Sequence, residues 1–223
     1  ALVTTSGAKG TICYSLDSVI TKKCSTSTAI PTGTNAGTYT VYYYVNGTSN
    51  YKETSGSVIV TIKKYDLSTN GIIGTINDQT YTGSEIKPTP SVTVPIPTGK
   101  TTTLVNNTDF TYSYSNNTSV GTGTVTVTGK GNYKGTKSTT FKITPKASSC
   151  TITSVPTLKY PSSATGSIQF KCTGDGAITV TSSNKGIIEV TSTGTTGAGL
   201  KGKAAGTSKI TISQTAGNYA ASS

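Results

Sequence analysis

The stretch GTGTVTVTGKGNYKGTKSTTFKIT, residues 121–144, alternates Thr with Val, breaks at a glycine-rich turn and then resumes its alternation. Apolar residues at every second position predict a half-buried β-strand, and Gly with Asn favours a turn. The stretch therefore predicts a β-hairpin. Because no segment of the chain shows a sustained helical period, we expect an all-β protein. Other alternating runs are GTYTVYYYV (37–45), SVIVTIKK (57–64), GSIQFKC (166–172) and SKITIS (208–213).

The Asn-Tyr pair at the centre of this hairpin occurs three times in the chain. Asn50-Tyr51, Asn132-Tyr133 and Asn218-Tyr219 are 82 and 86 residues apart, and each pair follows an alternating strand and a glycine-bearing turn. A fixed period of this kind predicts repeated modules. We interpret the pair as the turn of a terminal hairpin, whose Tyr ring covers one end of the core. The alternative, that these tyrosines form a platform for a ligand, remains open.

The repeats set the predicted domain boundaries. We place them after Lys64 and after Lys146, which gives a first repeat (1–64), a second repeat (65–146) and a third repeat (147–223). Links of a few residues restrict bending, so we expect a rod-like array. The first repeat is about twenty residues shorter before its Asn-Tyr pair than the others, and the third stops at GNYAASS. We therefore expect the first repeat to lack its opening strand and the third to lack its closing strand.

Composition excludes several classes of function. The formal net charge is +11, yet all nineteen basic residues are Lys. Without Arg, a nucleic-acid partner is not expected. The Lys excess suits either attraction to an anionic polymer or protection of exposed strand edges. Without His, a Ser-His-Asp site cannot form, and the eight carboxylates are scattered singly along the chain. We expect no enzyme activity, no cofactor, no metal site and no membrane span.

Four cysteines, Cys13, Cys24, Cys150 and Cys172, form one pair in the first repeat and one pair in the third. Pairing within each repeat is the simplest of the three possible connectivities. A zinc site is the alternative, but the chain has no CxxC motif and no His. Disulfides persist outside the reducing cytoplasm, so the cysteines favour an extracellular location.

Longer stretches carry a family resemblance. The resemblance is strongest in the middle of the chain, in DQTYTGSEIKPTPSVTV (78–94) and the hairpin of residues 121–144, and the third repeat contributes AITVTSSNKGIIEV (177–190). The first two resemble tandem immunoglobulin-like and related small β repeats of Gram-positive surface and secreted proteins, and the third is similar to bacterial Ig-like group 2 domains. The resemblance implies three small β-sandwiches that serve as a stalk, spacer or adhesive module, on a bacterial surface or sometimes on a phage particle. It implies no catalytic residues.

Two hypotheses follow for the function. In the first, the chain is a structural stalk whose partners are neighbouring repeats of the same or adjacent chains. In the second, it is an adhesin that binds a host glycan or a host protein through exposed tyrosines. An anionic cell-wall polymer is a further candidate partner, which the Lys excess suits. Tyr42, Tyr43 and Tyr44 are the candidates, because consecutive side chains on a strand point to alternate faces. A hydrolase is a distant third.

Overall fold

The computed structural model describes residues 10–18, 28–97, 99–161 and 164–223. In these ranges the chain is all-β apart from one turn of helix, which confirms the predicted fold class. It divides into two compact units. Unit 1 contains the described residues of Ala1–Gly74, Ser91–Ser113 and Thr126–Lys137, and unit 2 contains those of Thr75–Pro90, Tyr114–Val125 and Ser138–Ser223. The division into three Ig-like domains stays a prediction.

The elements occur in three groups along the chain. The first group is β1 (Ile12–Ser15), β2 (Gly37–Val45) and β3 (Thr54–Ile62). The second is β4 (Tyr65–Asp66), α1 (Leu67–Asn70), β5 (Ile72–Ile73), β6 (Gln79–Thr80), β7 (Val92–Pro95), β8 (Thr101–Thr103), β9 (Phe110–Ser115), β10 (Gly121–Gly129), β11 (Tyr133–Lys134) and β12 (Thr136–Thr144). The third is β13 (Cys150–Ser154), β14 (Thr165–Cys172), β15 (Ile178–Ser182), β16 (Ile188–Thr193), β17 (Gly197–Gly202) and β18 (Ile210–Gln214).

Unit 1 contains three complete sheets, ordered β1-β2-β3, β5-β7-β8 and β11-β4. Strands β2 and β3 pair antiparallel along their whole length, from Gly37 opposite Ile62 to Val45 opposite Thr54. A further sheet has the order β6-β12-β10-β9, and its strands β9, β10 and β12 each have residues in both units. The alternating runs of the sequence therefore become strands, as predicted.

The core of unit 1 follows from this alternation. Val92 and Val94 are buried on β7 while Thr93 between them is half-buried, because successive side chains point to opposite faces. Phe110 is buried beside them and meets the ring of Tyr112 edge to face, with 4.9 Å between centroids. The buried cluster consists of Leu67, Val92, Val94, Leu104, Phe110 and Val127.

Unit 2 contains the sheets β13-β14-β17-β16 and β15-β18. Ile168 and Phe170 alternate with exposed residues on β14 and are both buried. They pack with residues of the other strands in one cluster, so unit 2 has an apolar core of its own. The cluster consists of Ile168, Phe170, Val180, Ala198, Leu200 and Ile212.

The single turn of helix, α1, was not predicted from the sequence. Asp66 begins it, because its carboxylate accepts the Ser68 N–H at 3.0 Å and so caps the first turn. Leu67 is fully buried in the core of unit 1. Four residues are too few to show a helical period, so only the Asp-x-Ser pattern could have indicated this turn.

One predicted disulfide is present, between Cys150 and Cys172 in unit 2. The two residues are directly opposite each other on β13 and β14, so the bridge links adjacent strands. The other predicted pair includes Cys24, which lies outside the described residues. Cys13 is buried on β1.

We expect that replacing both Cys150 and Cys172 by Ala lowers the free energy of unfolding of unit 2 by about 3 kcal/mol, because the unfolded chain regains the freedom of a loop of this length. Amide hydrogen exchange in β14 and β17 measures this locally. A reductant should raise the amide exchange rates of these strands in the wild type to those of the variant. It should leave the exchange rates of the variant unchanged. Unchanged exchange in both experiments would contradict a stabilising bridge.

Candidate repeat junctions

The Asn132-Tyr133 turn makes hydrogen bonds to the residues just before strand β2, which lie much earlier in the sequence. The side-chain oxygen of Asn132 accepts the Ala36 N–H at 2.8 Å, across 96 residues of sequence. The Asn132 amide group donates to the side-chain oxygen of Asn35 at 3.0 Å. Its backbone carbonyl accepts the Tyr65 N–H at 2.9 Å. We call this arrangement in unit 1 the first junction.

Tyrosine rings complete the first junction. Tyr133 and Tyr65 are partners in the parallel pair of β11 and β4, and their rings meet edge to face with 6.2 Å between centroids. Both rings pack against the buried cluster of unit 1. Burial raises the pKa of Tyr133. The Asn side chain therefore fixes a strand start while the neighbouring ring covers apolar surface.

The Asn218-Tyr219 turn makes the corresponding contacts in unit 2. The side-chain oxygen of Asn218 accepts the Val120 N–H at 2.9 Å, across 98 residues of sequence. Its backbone carbonyl accepts the Lys146 N–H at 3.1 Å. The Lys146 ammonium lies 5.9 Å from the centre of the Tyr219 ring, and the Tyr81 ring meets Tyr219 edge to face at 5.7 Å. We call this arrangement the second junction.

The two junctions share one hydrogen-bonding pattern. In each, the Asn side chain accepts the backbone N–H of the residue immediately before a Gly-Thr pair, Gly37-Thr38 in the first and Gly121-Thr122 in the second. In each, the Asn carbonyl accepts the N–H of a residue beside a predicted repeat boundary, Tyr65 or Lys146. In both junctions, therefore, the Asn of the turn binds a backbone N–H just before a distant strand and a second backbone N–H beside a predicted boundary.

Acidic residues support the two junctions in different ways. In the second, Asp175 accepts the side-chain amide of Asn218 at 3.0 Å and the backbone N–H groups of Asn218 and Tyr219 at 3.1 and 3.2 Å. In the first, Asp66 lies 3.5 Å from the Lys134 ammonium, in an ion pair that solvent weakens. Gly135 is needed there, because it has a φ of +81° and a Cβ would lie 2.5 Å from the Asp66 carboxylate.

Hydrogen bonding shifts the titration of both acids. For Asp175, burial acts to raise the pKa, but the hydrogen bonds from Asn218 and Tyr219 outweigh it and hold the pKa below its ordinary value. For Asp66, the hydroxyl and backbone N–H of Ser68 are the main reasons that the pKa is lowered. Each carboxylate therefore stabilises the folded state while it is charged.

The Asn50-Tyr51 turn makes no such contact among the described residues. Thr48 and Tyr51 form an isolated antiparallel bridge, with the Thr48 N–H donating to the Tyr51 carbonyl at 2.8 Å. Asn50 is exposed, and the Tyr51 side chain is 58% exposed. This turn has the residues of a junction without a partner strand in the described part of the chain.

The three consecutive tyrosines of β2 lie in different surroundings. Tyr44 is buried and its hydroxyl donates to the Glu53 carboxylate, and this hydrogen bond together with burial raises the pKa of Tyr44. Tyr42 and Tyr43 are half-buried. The Tyr43 ring covers Gly56, where a Cβ would lie 2.5 Å from its hydroxyl. A ligand contact at these tyrosines stays a prediction.

The described ranges contain neither a metal-binding cluster nor a membrane-spanning helix. No three His, Cys, Asp or Glu side chains in them lie close enough together to hold a metal ion. Within the same ranges, no helix has the length and apolarity needed to cross a bilayer. No protein-family model matches the chain, and neither does any of the curated proteins.

Sequence reasoning found the Asn-Tyr pairs but missed what they bind. Ala36 and Val120 contribute only backbone groups, and Asp175 is an isolated acid in a loop. Their residue types therefore do not mark them as functional. The two partner segments, NAGT (35–38) and SVGT (119–122), share only the Gly-Thr pair, which also occurs elsewhere, for example at residues 10–11 and 47–48, so the sequence carries no specific signal for these contacts.

We expect Asn132→Ala and Asn218→Ala each to lower the free energy of unfolding of the unit concerned by about 1 kcal/mol, since each removes the partner of a backbone N–H. Asn50→Ala is the matched control and should have no effect. Urea denaturation measures the change, and faster amide exchange at Ala36 or Val120 locates it. Equal effects from all three variants would argue against the junctions.

The Asp175 hydrogen bonds also predict an acid sensitivity. Because the folded-state pKa is depressed, the contribution of Asp175 is complete above about pH 4 and is lost as the pH falls through the lower folded value. The thermal unfolding temperature of unit 2 should therefore fall between pH 6 and pH 2, and Asp175→Asn should make this fall smaller. Asp78→Asn is the control, because it removes an acid of unit 2 that has no bond to Asn218 or Tyr219. Its unfolding temperature should fall with pH as far as that of the wild type. If the unfolding temperature of Asp175→Asn depended on pH in the same way as that of the wild type, the prediction would be refuted.

Proposed function

We propose that this chain is a non-catalytic structural spacer of an extracellular bacterial surface protein. In this proposal three Ig-like β repeats follow one another, and the second and the third are each fastened to the preceding repeat by their Asn-Tyr turns. The observation that carries the proposal is the shared bonding of Asn132 to Ala36 and of Asn218 to Val120. Each bond joins residues on opposite sides of a predicted boundary, after Lys64 or after Lys146.

The distribution of the buried residues supports the tandem arrangement. Every residue of the buried cluster in unit 1 falls within residues 65–146, and every residue of the cluster in unit 2 falls within residues 147–223. Each of these two predicted repeats thus has an interior of its own, as an independent domain requires. A spacer needs such interiors together with fixed links between them.

The chemistry of the chain supports a passive extracellular role. The Cys150–Cys172 bridge is of a kind that persists in oxidising compartments. The few carboxylates with lowered pKa values, Asp66 and Asp175, are used in the junctions. The resemblance to bacterial surface repeats points to the same role, and it leaves display on a cell or on a phage particle as two locations for one function.

Small-angle X-ray scattering tests the spacer directly. A compact globule of this length has a radius of gyration of about 17 Å. Three repeats end to end, each about as long as a ten-residue strand, give about 30 Å. We expect the larger value. In the Asn132→Ala, Asn218→Ala double variant, the distribution of distances within the molecule should become wider, although the chain length is the same. A value close to that of the globule would refute an extended spacer.

A further inference from the structure

The dipeptide Asn-Gly occurs twice in the chain, as Asn46-Gly47 and as Asn70-Gly71. In this dipeptide the backbone nitrogen of Gly can attack the side-chain amide carbon of Asn. Gly hinders the attack least of all residues, because it has no Cβ. Both pairs lie in unit 1, but their surroundings differ.

The fold protects the second pair. Asn70 is the last residue of α1, and the Gly71 N–H donates to the Leu67 carbonyl at 3.0 Å. The Asn70 side-chain amide donates to the Asp66 carbonyl at 3.5 Å. The nitrogen that would attack is therefore engaged in a hydrogen bond, and the helical turn has to open before Asn70 can react.

The first pair lies just after the end of β2 at Val45. The Asn46 N–H donates to the Thr11 carbonyl at 2.9 Å, and a Cβ on Gly10 would lie 2.0 Å from the Asn46 carbonyl oxygen. The backbone of Asn46 is thus held in place. In the described part of the chain, however, neither its side-chain amide nor the Gly47 N–H makes a hydrogen bond, and Gly47 is exposed. Both reacting groups are available without any opening of the fold.

The third repeat holds its amide at the same position firmly. Asn46 and Gln214 each stand four residues before the Asn of the repeated turn. Gln214 is buried, its side-chain oxygen accepts the Gly174 N–H at 3.0 Å, and its amide group donates to the Gly176 carbonyl at 3.0 Å. The free amide of Asn46 is therefore a property of the first repeat and not of the repeated turn.

We propose that Asn46-Gly47 is a modification site, at which Asn46 loses its amide without an enzyme. The Gly47 nitrogen forms a bond to the Asn46 side-chain carbon and gives up its proton, and the side-chain nitrogen leaves as ammonia. Water then opens the cyclic imide at either carbonyl, which yields aspartate or isoaspartate at this position. The reaction consumes only water, and its products carry an additional negative charge on a chain whose formal net charge is +11.

The isoaspartyl product alters the backbone at a closely packed point. In this product the chain continues through the former side chain, and the former backbone carbonyl becomes part of a free carboxylate. At Asn46 that carbonyl lies against Gly10, beside the place where β1 and β2 pair with Ile12 opposite Val45. The isoaspartyl form should therefore loosen this end of the β1–β2 pairing, whereas the aspartyl form keeps the original backbone.

Incubation of the whole chain at mildly alkaline pH tests the site, with peptide mass spectrometry as the measurement. In the folded chain Asn46 should lose its amide about tenfold faster than Asn70, since the bonds of α1 must open first. In concentrated urea the two rates should be similar, because no fold remains. Equal rates in the folded chain overturn the proposal, and so does an Asn46 that reacts in urea but is unchanged in the folded chain.

A variant of the helix cap tests the reason for the difference. Asp66→Ala removes the carboxylate that caps α1 and should raise the rate at Asn70 severalfold while the rate at Asn46 stays the same. Asp78→Ala removes an exposed acid of unit 2 and should change neither rate. An unchanged rate at Asn70 in Asp66→Ala would overturn the structural basis of the selectivity.

Amide hydrogen exchange tests the effect on the backbone. Chromatography separates the isoaspartyl form of the aged chain, and Asn46→Asp provides the aspartyl form as the matched control. The isoaspartyl form should exchange faster at position 46 and in β1, while Asn46→Asp should exchange like the wild type. Equal exchange in the two forms would show that the altered backbone fits beside Gly10, and it would overturn the proposed loosening.

Discussion

The architecture depends on an asparagine side chain that accepts a backbone N–H from a strand start nearly a hundred residues earlier. Asn132 does this to Ala36, and Asn218 does it to Val120. A single hydrogen bond of this kind contributes only about 1 kcal/mol. Its influence is geometric, since it fixes the place where a strand of one predicted repeat begins relative to the turn of the next. The tyrosine beside each Asn then packs against a neighbouring side chain.

The surroundings of the two tyrosines differ, although the bond does not. Tyr133 meets Tyr65, whereas Tyr219 lies between the Tyr81 ring and the Lys146 ammonium. The supporting acid also differs. Asp175 binds the turn itself, while Asp66 caps α1 and pairs with Lys134. The constant element is thus the Asn hydrogen bond, and the surrounding side chains differ between the two junctions.

Sequence alternation was sufficient to predict the strands, because the period of two is a local property. The run GTVTVTG lies in β10, GSIQFKC lies in β14, and the ITIS part of SKITIS lies in β18. The Cys150–Cys172 pairing could also be anticipated, since only two cysteines fall in the third repeat. The junction contacts could not, because a bond between residues almost a hundred positions apart leaves no local period. Helix α1 was missed for the opposite reason, since four residues are too few for any period.

The partner of each asparagine is a main-chain group, and this determines which substitutions a junction tolerates. Every amino acid except proline carries that N–H, so Ala36 and Val120 serve equally well as its source. Substitution of Ala36 or Val120 by another residue can therefore leave the asparagine hydrogen bond in place. Proline is the exception at both positions, because it has no N–H to donate.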